Sequence, residues 1–157
     1  MSEYPNGAPL SLDRRDMLVA AAVGFVASII PLAKATTSDD VDAAIRDLIG
    51  NATPRDGGIS LQVPETAENG AVVPVTVVVD SPMTAEHHVR AIHLIATRNP
   101  TPGIASFRLS PASGKAEVAM RIRLAEKQTL LVFAEHSDGT VNRAAVEIKV
   151  SVGGCLT

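Results

Sequence analysis

Residues 116–152 read AEVAMRIRLAEKQTLLVFAEHSDGTVNRAAVEIKVSV, and the period of two in this stretch decides the fold class. Val118, Met120, Ile122 and Leu124 alternate with Glu117, Arg121 and Arg123. Successive side chains of a strand point to opposite faces, so one set enters a core while the other stays in water. Val146, Ile148, Val150 and Val152 alternate with Glu147, Lys149 and Ser151 in the same way. Between the last two runs, Asp138-Gly139 marks a hairpin, because the tight turn needs the positive φ that glycine adopts without steric cost.

Working outward, the same pattern predicts strands at Ile59–Val63, Val72–Asp80, Val89–Thr97, Gly103–Leu109, Ala116–Leu124, Gln128–Glu135 and Val141–Val152. Turn residues at Glu68-Asn69-Gly70, Ser81-Pro82, Asn99-Pro100 and Ser113-Gly114 separate them. Pro74 lacks the amide proton a ladder needs, which places it at an edge or a bulge. Upstream, Ser38 to Gly50 predicts a short amphipathic helix: Ser38 caps it, acids fill its first turn, and Val41, Ile45, Leu48 and Ile49 share one stripe. About seven short strands with turns at this spacing, after one short N-terminal helix, indicate an all-β, immunoglobulin-like β-sandwich.

The N-terminus addresses the chain to a compartment. Arg14-Arg15 precedes an uncharged run from Met17 to Ala33, and Ala33-Lys34-Ala35 fits a small-x-small cleavage site. Paired arginines before an alanine-rich apolar run suit a twin-arginine export signal over residues 1–35 and a periplasmic destination. The run is shorter than the roughly 20 residues of a spanning helix, so the expected mature chain keeps no membrane anchor. Cleavage leaves roughly 120 residues, enough for one domain. Residues 36–152 are expected to form the helix and sandwich, and residues 153–157 a flexible arm. The chain carries 14 Lys and Arg against 17 Asp and Glu, a net charge of −3, which excludes a nucleic-acid footprint.

The sole cysteine, Cys155, stands third from the C-terminal end behind Gly153 and Gly154. An odd cysteine in an exported protein implies intermolecular pairing or a deliberately free thiol. The two glycines read as a flexible tether, and from Val150 to Cys155 an extended chain reaches roughly 15 Å. No activating base lies near Cys155 in sequence, so the thiol suits cargo attachment better than autonomous catalysis. No catalytic set and no cofactor is expected. Met83, His87, His88 and His93 form the one candidate metal cluster. In a strand His87 and His93 share one face and His88 the other, so the expectation is no metal site. Arg121, Arg123, Lys127, Arg143 and Lys149 read as solvated strand faces, or else as a surface for an anion or a partner.

Several segments together resemble a known family: Glu68-Asn69-Gly70, Val73-Pro74-Val75, Val79-Asp80-Ser81-Pro82-Met83, Ile92-His93, Asn99-Pro100, Gly114-Lys115-Ala116-Glu117-Val118, Arg121 to Glu126, Ser137-Asp138-Gly139, and Val150 to Cys155. Behind a twin-arginine signal, this pattern resembles SoxY, the sulfur-carrier subunit of bacterial thiosulfate oxidation. The resemblance implies that Cys155 holds thiosulfate-derived intermediates covalently, with Gly153 and Gly154 as its arm. It implies a heterodimer with a SoxZ-like β-sandwich subunit. It also implies a c-type cytochrome complex that attaches thiosulfate, a metal-dependent hydrolase that releases sulfate, and a dehydrogenase that oxidises the remaining sulfane sulfur. The family arm continues with glycines after the cysteine, where this chain has Leu156-Thr157. Either the cognate partners have a wider pocket or the carrier serves a related reaction. The alternative to a carrier is a periplasmic interaction module whose terminal cysteine is incidental.

Overall fold

The computed structural model describes residues 37–154. Arg14, Arg15 and Cys155 lie outside the described residues. The helix α1 (Ser38–Ile49) is followed by nine strands among the described residues: β1 (Arg55–Asp56), β2 (Ile59–Gln62), β3 (Thr66–Asn69), β4 (Val73–Val79), β5 (Val89–Ala96), β6 (Gly103–Arg108), β7 (Glu117–Ile122), β8 (Gln128–His136) and β9 (Val141–Val152). They form two sheets, one ordered β1-β9-β8-β5-β6 with β3 also on β9, the other β2-β4-β7. The expected β-sandwich is present.

The interior between the sheets follows from the alternating apolar positions. Val73, Val75, Val77 and Val79 of β4 and Val118 and Ile122 of β7 meet Ile92 and Leu94 of β5, Leu130 and Val132 of β8, and Ile148 of β9. A second cluster lies on the opposite face of the larger sheet, where Val41 and Ile49 of α1 cover Ile95, Phe133 and Val141. β5 is therefore buried on both faces, and its run Ile92-His93-Leu94-Ile95-Ala96 loses strict alternation for that reason.

Several expectations need correction. The helix cap is Thr37 rather than Ser38: the Thr37 hydroxyl accepts from the Asp40 N–H at 3.3 Å, and the Asp40 carboxylate accepts from the Thr37 N–H at 3.0 Å. This reciprocal box satisfies two of the donors that a helix start leaves open. β1 and β3 were not expected, because their polar residues carry no apolar alternation. Both are recruited by parallel pairing to one edge of β9. Pro74 sits in β4, the middle strand of its sheet. β2 covers only Thr76 to Val79, however, so at Pro74 the strand has β7 as its one ladder partner. β5 starts at Val89 as expected, so His87 and His88 precede it.

The β8–β9 hairpin closes with Gly139 at φ 84° and the His136 N–H donating to the Thr140 carbonyl at 2.9 Å. Asp138 accepts from both the Thr140 hydroxyl, at 2.7 Å, and its N–H, at 2.9 Å. These bonds, the hydroxyl's foremost, hold the Asp138 carboxyl below its ordinary pKa. A depressed folded-state pKa adds stability above the unfolded value, and that stability is lost as pH falls through the folded value. Thr140→Val is expected to raise the Asp138 pKa in an NMR titration; an unmoved midpoint would refute the hydroxyl's role. Phe133, 1% exposed, bridges α1 to the sheet. Phe133→Ala should cost about 3–5 kcal/mol in denaturant unfolding, and a loss below about 1 kcal/mol would mean that α1 contributes little to the core.

Candidate functional site

β9 is the longest strand, and it carries the chain to the C-terminal end. β8 pairs along one edge of it, from Val141 to Ile148. On the other edge β3 runs parallel, with Ala67 opposite Val150 and Asn69 opposite Val152. The strand is thus held on both edges, and the ladder on its β3 side extends to its last residue.

Beyond Val152 the backbone stays engaged. The Gly70 N–H donates to the Val152 carbonyl at 2.7 Å, the Leu124 N–H to the Gly70 carbonyl at 2.8 Å, and the Gly154 N–H to the Leu124 carbonyl at 3.0 Å. Three segments distant in sequence are joined at this point. Gly70 and Gly154 are buried, while Gly153 is exposed. A Cβ on Gly154 would run into the backbone of Gly70 and Ala71. A Cβ on Gly70 would run into the Leu124 carbonyl, with Val150 Cγ1 at 2.8 Å and the Gly154 nitrogen at 2.9 Å.

This alters the expected arm. Gly153-Gly154 was read as a loose tether beginning after Val152. Gly154 is instead seated against the domain, and glycine is required there for close backbone approach. Cys155 follows by one peptide bond. The reach counted from Val150 therefore does not apply while the Gly154 contact holds.

Leu124 lies in the β7–β8 connection, which a buried amide pair organises. Asn99 is 7% exposed and Gln128 3%. Asn99 Nδ2 donates to the Arg123 carbonyl at 2.8 Å, and its Oδ1 accepts from the Ala125 N–H at 3.0 Å and from Gln128 Nε2 at 2.9 Å. Gln128 Oε1 in turn accepts from the Arg98 N–H at 2.8 Å. Sequence reading placed Asn99 in a turn and in one of the resembling segments, and missed Leu124 and Gly70 as parts of the arm's seat. Their one sequence signal was membership in the segments that resemble a known family.

His87, His88 and His136 line one small cavity, which His93 does not join. His93 is buried, with Nδ1 2.7 Å from the Ser106 hydroxyl and Nε2 3.1 Å from Glu135. His88 Nδ1 lies 3.1 Å from the Thr84 carbonyl, in the turn before β5. Met83 is in the core, and its sulfur accepts from the Val89 N–H at 3.4 Å. No group of three or more His, Cys, Asp or Glu side chains placed to hold a metal ion occurs among the described residues. Of the basic positions, Arg143 pairs with Asp56 and Lys127 with Glu147, while Arg121, Arg123 and Lys149 are exposed. Large apolar side chains that stand exposed among the described residues are Val72 and Val152. Each is two residues from one of the paired glycines, Gly70 and Gly154.

No curated protein matches this chain. The structure of the sulfur carrier protein SoxY from Chlorobium limicola f thiosulfatophilum is similar at 33% identity and TM-score 0.62, covering 74% of this chain and all of that one. A superoxide reductase (neelaredoxin) from Ignicoccus hospitalis, at 22% identity and TM-score 0.53, covers 60% of this chain and 80% of its own. That second likeness is one of fold. A family model described as sulfur oxidation protein SoxY matches residues 45–155, from within α1 to the single cysteine. The chain belongs to the SoxY family of sulfur oxidation proteins.

Proposed function

We propose that this chain is a periplasmic carrier that holds thiosulfate-derived sulfur covalently on Cys155 and presents it to the enzymes of a thiosulfate-oxidising system. A carrier role in sulfur oxidation follows from the family and from the Chlorobium relative. One observation carries the finer reading. The fold holds the backbone as far as Gly154, and the sole thiol of the chain comes next. A rigid sandwich ending at one nucleophilic sulfur is suited to presenting cargo, not to transforming it.

The chemistry balances without a catalytic residue in this chain. The Cys155 thiol and thiosulfate join as a cysteine S-thiosulfonate, releasing one proton and two electrons. A c-type cytochrome complex is the proposed acceptor. Water then cleaves the terminal sulfur–sulfur bond at a metal-dependent hydrolase, releasing sulfate and one proton and leaving a cysteine persulfide, S–SH. A dehydrogenase then oxidises that remaining sulfane sulfur with three waters as the oxygen source, giving a cysteine S-sulfonate. This step releases seven protons and six electrons, and a c-type cytochrome is again the proposed electron acceptor. The proposed heterodimeric partner is a SoxZ-like sandwich subunit. A partner without its own signal, carried across already folded, explains why a small cofactor-free domain carries Arg14-Arg15.

The seat at Gly154 shapes delivery. With the Gly154 N–H bonded to Leu124, a partner enzyme must bring its active-site mouth close to the domain surface. Val72 and Val152, exposed beside this point, offer apolar area for such a contact.

Intact-mass analysis of protein from thiosulfate-grown cells should show reductant-labile adducts confined to the peptide bearing Cys155, and Cys155→Ser should abolish them. Their consistent absence from active cells would instead favour the interaction module. Gly70→Ala should destabilise the fold by about 1–3 kcal/mol, because the new methyl meets backbone that cannot move aside cheaply. An unchanged denaturation midpoint would show that the Gly70–Leu124–Gly154 contact is looser than described.

A further inference from the structure

We infer that Asn99 is the positioning residue of the carrier arm: its side-chain amide grips the two peptides flanking Leu124, and through them fixes where Gly154 is held. The inference rests on the carrier reading only for its functional meaning. The geometry stands independently of it.

A peptide unit is planar and trans, so its N–H and C=O point in opposite directions. The peptide joining Arg123 to Leu124 has its carbonyl on Asn99 Nδ2 and its N–H on the Gly70 carbonyl. The peptide joining Leu124 to Ala125 has its N–H on Asn99 Oδ1 and its carbonyl on the Gly154 N–H. Asn99 therefore holds one end of each plane, and the opposite ends reach Gly70 and Gly154. A carboxamide suits this task because it offers a donor and an acceptor side by side. Gln128 fixes the amide's orientation by donating Nε2 to the same Oδ1 at 2.9 Å. Asn99, Gln128, Leu124, Gly70 and Gly154 are buried, where a lost partner leaves an unsatisfied polar group and the remaining bonds are strong.

The arm's point of departure is thus set by a side chain 55 positions earlier in the sequence than Gly154, through rigid planes rather than by direct contact. The two halves of the amide have separable effects. The acceptor, Oδ1, governs the plane that holds Gly154. The donor, Nδ2, governs the plane that holds Gly70.

Residue-resolved amide exchange on the full chain tests this directly. Asn99→Ala should lower protection at both the Gly154 and the Leu124 N–H by about tenfold or more, with the β5 and β8 amides unchanged. Asn99→Asp keeps the acceptor and removes the donor. It should lower protection at Leu124 while leaving Gly154 within about threefold of the parent. Unchanged exchange at Gly154 in Asn99→Ala, or a loss spread evenly over β5 and β8, would overturn the inference. Should Asn99→Ala fail to fold, the split between Leu124 and Gly154 in Asn99→Asp decides: equal losses at the two sites overturn it. Mass adducts on Cys155 in the parent test the carrier reading separately, so the two can fail independently.

Discussion

The fold depends on the larger sheet being covered on both faces. β5 and β8 contribute Ile92, Leu94, Leu130 and Val132 to one core and Ile95 and Phe133 to the other. Strands buried in this way cannot shift register by one residue without exchanging their two apolar sets. β9 pairs with β8 over eight residues and inherits that fixed register. The second sheet, through β4, closes the interior, and α1 closes the outer face. Each remaining element is positioned against this pair of strands.

That rigidity reaches the C-terminal end through backbone groups. β3 and Gly70 occupy the edge of β9 that β8 leaves open, and Leu124 joins Gly70 to Gly154. At Gly70 and Gly154 themselves the neighbouring backbone approaches too closely to admit a side chain. Glycine at 70 and 154 is a packing requirement, satisfied where the chain crosses itself. The buried amides Asn99 and Gln128 supply the polar partners that such a crossing needs, since a loop buried without them would strand its carbonyls and N–H groups.

Legibility in the sequence divided along physical lines. β7 and β9 showed themselves through alternation, because one face of each meets the core and the other meets water or a partial cover. α1 was visible through its stripe, although its cap lay one residue earlier, where Thr37 and Asp40 satisfy each other. β1 and β3 were invisible because the signal that makes them strands resides in β9, not in Arg55-Asp56 or in Thr66 to Asn69. At the site, the cysteine and both glycines were legible as residue types. The reason for Gly154 was not, because flexibility and close approach select the same residue and only contacts separate them. Asn99 was silent for a related cause: its partners lie 24 to 29 positions away, a separation that carries no periodic trace.

The double pairing of β9 also has a mechanical meaning. Ladder bonds run across a strand, perpendicular to its length in the antiparallel case. A pull on the C-terminal end along the strand axis loads the bonds to β8 and to β3 in shear, all together. Peeling them open one at a time would need a pull across the sheet. Tension at that end is thereby spread over the two flanking strands, and the domain resists unravelling from its end.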